Sequence, residues 1–164
     1  MRSERIGPAG DADLPALAGL MAASPLLARY GASRSGALAA LEAARRAGDL
    51  LLVAREPATP AVGLAWVIPS RILTGAAYLR LLLVAESRQR AGTGGRLLDA
   101  AERAARAVAN HMVLLVTADN TAARRFYARH GYRHVGDLPG LAAPHLDEAL
   151  YHKPLRGHGD RLPV

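Results

Sequence analysis

The chain has 164 residues, the length of one domain and enough to bury a core without staples. It contains no cysteine, which excludes disulfides, thiolate catalysis and cysteine-based metal sites. Its net charge of +7 invites a nucleic-acid reading, but 20 of its 21 basic residues are dispersed arginines and aromatic residues make up only 4%, which argues against a stacking platform for bases.

In chain order, Ser3–Gly7 reads as a short strand. Asp11 and Asp13 are N-cap candidates for a helix to about Met21, with Pro15 in its first turn and Leu14, Leu17, Ala18 and Met21 on one face. A second helix is expected from Ser33 to Ala47, stopped by Gly48. The period then changes. Leu50–Ala54 reads as a buried strand, Glu56–Pro60 as a turn, Val62–Ile68 as a strand, Pro69–Gly75 as a loop and Ala77–Ala85 as a third strand. A helix from Gly92 to Ala109 carries the stripe Leu97, Leu98, Ala101, Ala105 and Val108. Val113–Thr117 should be a strand parallel to the one before that helix. A helix over Asn120–His130, closed by Gly131, and strands at Tyr132–Gly136 and Leu146–Lys153 complete the pattern. No run approaches the roughly 18 apolar residues of a membrane span. The polar opening Met1-Arg2-Ser3-Glu4-Arg5 is unlike a signal peptide, so a cytoplasmic location is the expectation.

Two motifs carry the chemistry. Gln89-Arg90-Ala91-Gly92-Thr93-Gly94-Gly95 joins a strand to a helix. The first turn of a helix has N–H groups without partners, and glycine there lets an anion such as pyrophosphate approach them. Gly92-x-Gly94-Gly95 fits neither a dinucleotide fingerprint nor a P-loop. The second motif is Asn120-x-x-Ala123-x-x-Phe126-Tyr127-x-x-x-Gly131-Tyr132. Its positions 120, 123, 127 and 131 share a helix face, with Ala123 leaving room between a hydrogen-bonding end and a phenol.

Gln89-x-x-Gly92-x-Gly94, followed by Asn120 and Tyr127 one strand later, resembles the signature of the GCN5-related N-acetyltransferases (GNAT). The resemblance covers roughly residues 77–136, with a further likeness in Asp147–Leu155. Glu86 and Arg90 depart from it, standing where proline and glycine are frequent. It implies an α/β (α+β) fold: a mixed, mostly antiparallel central sheet of six to seven strands flanked by about four helices. One domain would span 1–155, with a disordered tail over 156–164.

The resemblance further implies acetyl-CoA as the bound acyl donor and a primary amine as acceptor, in a small molecule, peptide or protein. Leu82, Leu83 and Val84 would face the pantetheine through their backbone, one of their N–H groups, near Leu83 or Val84, meeting the carbonyl oxygen. Gln89, Arg90, Ala91, Gly92, Thr93, Gly94 and Gly95 would take the pyrophosphate, Asn120 and Ala123 the pantetheine, and Tyr127 would sit by the sulfur as general acid. Arg124, Arg125 and Arg129 are candidates for the 3′-phosphate, against a solvated helix face.

An amine must lose a proton to attack, so a base is needed. Tyr78 and Arg80 stand on the strand where many relatives carry a glutamate, and neither is a good base. His111, His145, Asp147 and Glu148 are the candidates. His145 is preferred because it falls in the 138–145 loop, which in the family borders the acceptor site. No metal is expected. Nucleic acid and membrane are not expected as partners, and a homodimer is left open. An acyl-CoA-binding sensor that has lost catalysis is the alternative on the same fold.

Overall fold

The computed structural model describes residues 4–155 (of Ser70, the backbone only). Ser3 and the tail from Arg156 to Val164 therefore lie outside the described residues. Seven strands form one sheet: β1 (Arg5–Pro8), β2 (Leu50–Glu56), β3 (Thr59–Leu73), β4 (Ala76–Val84), β5 (His111–Thr117), β6 (Arg133–Ala143) and β7 (Leu146–Pro154). Their spatial order is β1-β2-β3-β4-β5-β7-β6, with every pairing antiparallel except β4 with β5. The helices are α1 (Leu14–Ala22), α2 (Pro25–Ala28), α3 (Arg34–Arg46), α4 (Thr93–Ala105) and α5 (Thr121–Arg129).

The sheet is covered on both faces, which explains why β2 is a continuous apolar run rather than an alternating one. Leu51 and Val53 pack with Leu14, Leu17, Ala18 and Met21 of α1 and Ala37, Leu41 and Ala44 of α3. Leu52 and Ala54 point the other way, toward Leu97, Leu98, Ala101 and Ala105 of α4. Each leucine so buried contributes roughly 2 kcal/mol. The predicted faces of α1 and α4 are thus the packed ones, except that α4 stops at Ala105 and Val108 is exposed.

The turn expected over Glu56–Pro60 narrows to Pro57-Ala58, with Glu56 paired to Thr59 and Pro60 already in β3. Three further segments differ from their sequence reading. The 69–75 and 138–145 segments are not loops. β3 runs through Pro69 to Leu73, and β6 runs through Pro139 to Ala143. Both prolines lie where the ladder is irregular, between Ile68 and Leu73 and between Leu138 and Ala143. Proline's φ suits extended chain, and a missing N–H costs nothing where no ladder bond is due. The third difference is α2, a short helix absent from the sequence reading. Ser24 caps it by accepting the Leu27 N–H at 3.4 Å.

Candidate active site

The parallel ladder of β4 with β5 spans only Ala76–Leu79 against His111–Leu114. Both strands continue beyond it, β4 to Val84 and β5 to Thr117, so they splay into a wedge. A bulge between Trp66 and Val67, opposite Leu81 and Leu79, turns Arg80 out of the ladder at the apex. The wedge opens a cleft of about 390 Å³. Its walls come from β4 (Tyr78–Leu82), β5 (Leu115–Thr117), the face of α5, and the α1–α2 region.

The free edge of β4 can be assigned residue by residue. The Ala85 N–H bonds the Val62 carbonyl at 2.9 Å, and Leu83 stands opposite Leu64. Strict alternation then commits the Leu83 backbone to β3 and leaves those of Leu82 and Val84 facing the wedge. The Leu83 side chain is buried on the α1–α3 face. Of the three sequence candidates here, Leu82 lines the cleft, Val84 continues the same edge, and Leu83 is turned away.

Beyond Val84 a 3₁₀ turn at Glu86–Arg88 leads into the glycine-rich segment. The Gln89 amide donates to the Val84 carbonyl at 3.3 Å, bracing the turn against the strand end. Among the described residues, no acceptor meets the backbone N–H groups of Arg90, Ala91, Gly92, Thr93, Gly94 and Gly95. Gly92 has φ +82°, and a Cβ on it would stand 2.9 Å from an Arg96 guanidinium nitrogen. That guanidinium donates to the Ala91 carbonyl and to Glu4. Thr93 is buried, and its hydroxyl donates to Glu4 at 2.5 Å, so it offers the turn an amide and not a hydroxyl. Burial opposes ionisation of Glu4, but the bonds from Arg96 and Thr93 hold its carboxyl below the usual range. Helix α5 supports the segment from behind. A Cβ on Gly95 would lie 3.2 Å from His130 Nε2, and one on Gly94 3.7 Å from the Phe126 ring. The two sequence motifs therefore touch.

On α5, the Asn120 Oδ1 accepts the Ala123 N–H at 3.1 Å and caps the helix. Its amide nitrogen remains available to the cleft, which Asn120, Ala123 and Tyr127 all line. Tyr127 is 9% exposed, and its hydroxyl has no hydrogen-bond partner among the described residues. Burial, with the Tyr78 phenol nearby, pushes the Tyr127 pKa well up, so the group stays a phenol at neutral pH. Arg124 turns inward, donating to the Tyr151 hydroxyl at 3.0 Å and the Ala118 carbonyl at 3.1 Å. Arg125 and Arg129 stay on the exposed face.

His145 is not at this cleft. It is exposed in the two-residue turn Pro144-His145 between β6 and β7, because the segment expected to be a loop is strand instead. His111 pairs with His152, ring nitrogens 3.0 Å apart, and Asp147 accepts the Gly140 N–H at 3.0 Å. Of the four acid–base candidates, Glu148 alone lines the cleft, at 4% exposure. The Tyr30 hydroxyl donates to its Oε1 at 2.6 Å and accepts from the Thr117 hydroxyl at 2.6 Å. A bidentate pair, Arg29 to Asp119 at 3.0 and 3.1 Å, straps the end of α2 across the cleft and holds Tyr30 there. Tyr30, Thr117, Trp66 and the apolar side chains of α1 and α2 escaped the sequence reading. A capping serine and proline at 24–25 were the only local signal for the missing helix.

This geometry fits acetyl-CoA. An unpaired strand edge suits an extended amide-bearing arm, and a row of free N–H groups with a glycine at positive φ suits a pyrophosphate. A family model described as acetyltransferase (GNAT) domain matches residues 33–139. Among solved structures, yncA from Salmonella typhimurium, which holds acetyl-CoA as its cofactor, is similar with TM-score 0.78 and 21% identity over 96% of each chain. An N-acetyltransferase from Staphylococcus aureus Mu50 is similar with TM-score 0.78 and 20% identity, over 94% of this chain and 99% of that one. A ribosomal-protein-alanine N-acetyltransferase from Brucella melitensis is similar with TM-score 0.75 and 24% identity, over 92% and 99%. At these identities the likeness is one of fold. No curated protein matches the chain in sequence.

Proposed function

Since the chain belongs to the GNAT acetyltransferase family and uses acetyl-CoA, we propose that it transfers the acetyl group to a primary amine by direct attack. The observation that carries this reading is one cleft holding both a buried carboxylate, Glu148, and a buried phenol, Tyr127.

Bound acetyl-CoA supplies a thioester activated toward nucleophiles. The amides of Arg90–Gly95 hold its pyrophosphate, and Asn120 with the open edges of Leu82 and Val84 aligns its pantetheine arm. An open N–H on that edge meets the developing charge on the carbonyl oxygen. An alkylamine is neutral in only on the order of 10⁻³ of molecules at pH 7. Glu148 receives the ammonium, fixes it by charge and takes one proton first, so that the neutral amine attacks the carbonyl carbon. The second N–H proton leaves the tetrahedral adduct to Tyr127 as the C–S bond breaks and replaces the proton that Tyr127 gives to sulfur. Tyr30 and Thr117 position that carboxylate. Tyr127 donates its proton to the departing sulfur. Its raised pKa keeps the proton in place until needed, and the apolar surroundings that raise it also disfavour a thiolate, which narrows the gap the proton must cross.

Titration with acetyl-CoA and an amine panel read by thiol release tests this. Tyr127→Phe should lower kcat by about 10²-fold and weaken acetyl-CoA affinity far less. Glu148→Gln should lower kcat/KM by a similar factor, with activity partly recovered at high pH, where the amine deprotonates unaided. Acetyl-CoA binding without turnover on any amine would favour an acyl-CoA-responsive regulatory module.

A further inference from the structure

Among the residues lining the cleft, two carry charge: Glu148 on β7 and Arg80 on β4. They have opposite signs and stand on different walls. Arg80 takes no part in any salt bridge or hydrogen bond among the described residues. Its one partner is the Trp66 ring, with the guanidinium carbon 4.7 Å from the ring centroid. That ring is itself fixed. The Trp66 Nε1–H donates to Asp49 Oδ2 at 2.8 Å, and Asp49 is held in turn by Arg71. A guanidinium laid on a tethered indole keeps its edge N–H groups free, in the fork that matches a carboxylate.

Tyr78 lines the same cleft. Burial raises its pKa, the Arg80 charge opposes that rise and the Glu148 charge adds to it. Both charges thus act on one hydroxyl beside Tyr127. The remaining walls near Trp66 are apolar: Met21, Leu26, Leu27 and Ala40. Arg80 is also remote from the pyrophosphate turn. It stands four residues before Val84, about 13 Å back along the strand, so an anion on Arg80 is not the phosphate of the acyl donor.

An amine with no other charge would satisfy Glu148 and leave the guanidinium of Arg80, which is exposed at the cleft's edge, to water. A lysine side chain in a protein carries no carboxylate of its own beside its ammonium. Resting on amine acetylation as the reaction, we propose that the acceptor is a zwitterion of the α-amino-acid kind. Its ammonium sits on Glu148, its carboxylate on Arg80, and its side chain among Met21, Leu26 and Leu27.

The test uses the common L-amino acids, each beside its own primary amide, with two readouts. The first is thiol release from acetyl-CoA, and the second is calorimetric binding to the protein saturated with CoA. In the wild type, at least one amino acid should exceed its amide by tenfold or more in kcat/KM and in affinity. Arg80→Gln should collapse that ratio toward one, chiefly through KM, and Arg80→Lys should retain part of it. Equal use of acids and amides by the wild type, binding of no amino acid, or an undiminished ratio in Arg80→Gln would overturn the proposal. Acid-selective binding that depends on Arg80, without turnover, would uphold it while removing amine acetylation. Turnover of amides and acids alike would do the reverse.

Discussion

Among the described residues, Arg90 is the one non-glycine residue with positive φ, at +63°. It stands inside the segment of free amides, at a position where the resembling family often has glycine. A side chain in the left-handed region costs on the order of 1 kcal/mol. On the proposed placement of the pyrophosphate at this turn, the site would gain a cation beside it. Arg90→Gly should therefore raise stability by up to about 1 kcal/mol, offset in part by glycine's entropy, while weakening acetyl-CoA binding several-fold. Thermal unfolding and calorimetry on the same variant check both signs. A variant that lost stability would show that the Arg90 side chain makes contacts worth more than the strain. The acid–base residues carry a parallel lesson. His145, Asp147 and Glu148 are near neighbours in sequence, yet Glu148 alone is buried in the cleft. Alternation along β7 and the turn before it separate them.

At the scale of elements, the site exists because two parallel strands stop pairing after four residues each. Helix α4 sits between them in sequence and packs across β2, β3 and β4, which holds the glycine-rich turn at the wedge's open end. That packing depends on close approach. A Cβ on Gly63 of β3 would stand 2.6 Å from Leu97 Cδ1 and 3.2 Å from the Leu83 carbonyl. Leu97 is fully buried and has nowhere to retreat. Gly63→Ala should cost about 1–3 kcal/mol, measured by urea unfolding, and should also weaken acetyl-CoA binding because the turn moves with α4. Loss of stability with unchanged affinity would uncouple helix from turn. Helix α2 acts on the opposite side. Four residues long, it has little stability of its own, and the Arg29–Asp119 and Tyr30–Glu148 contacts give it a place.

Across the whole molecule, one buried ion pair ties the α4 layer to the far part of the sheet. Lys153 of β7, the chain's sole lysine, reaches both carboxylate oxygens of Glu102 on α4 at 2.8 Å. Tyr132 donates to the same group at 3.1 Å. Glu102 is 3% exposed and its other cation, Arg106, stands farther off at 3.8 Å, so removing Lys153 leaves a buried carboxylate weakly paired. Lys153→Met should destabilise the protein by about 3 kcal/mol. The double variant Glu102→Leu with Lys153→Met should recover most of that loss. A double variant as unstable as the single one would mean that the pair holds more than charge.

The sequence by itself determined most element types, α2 excepted, along with the packed faces of α1 and α4, the glycine-rich turn, and the Asn120–Tyr127 face. All of these are local patterns: a period of 3.6, a cap, a run of glycines at a helix start. It also pointed to the family through two motifs whose spacing survives in one dimension. It misplaced the segments around Pro69 and Pro139, since a proline's effect depends on whether a neighbouring strand needs its N–H, which no local pattern encodes. Only the tertiary structure decided that β4 and β5 splay. It also decided which alternate residues of β4 face the opening, and that Tyr30, Thr117 and Glu148, distant in sequence, meet at 2.6 Å. Arg80 read in isolation is a poor base; the fold stacks it on Trp66 at a cleft that Glu148 also lines. Charge complementarity acts through space over a few ångströms, so the acceptor side of the site had to wait for the fold.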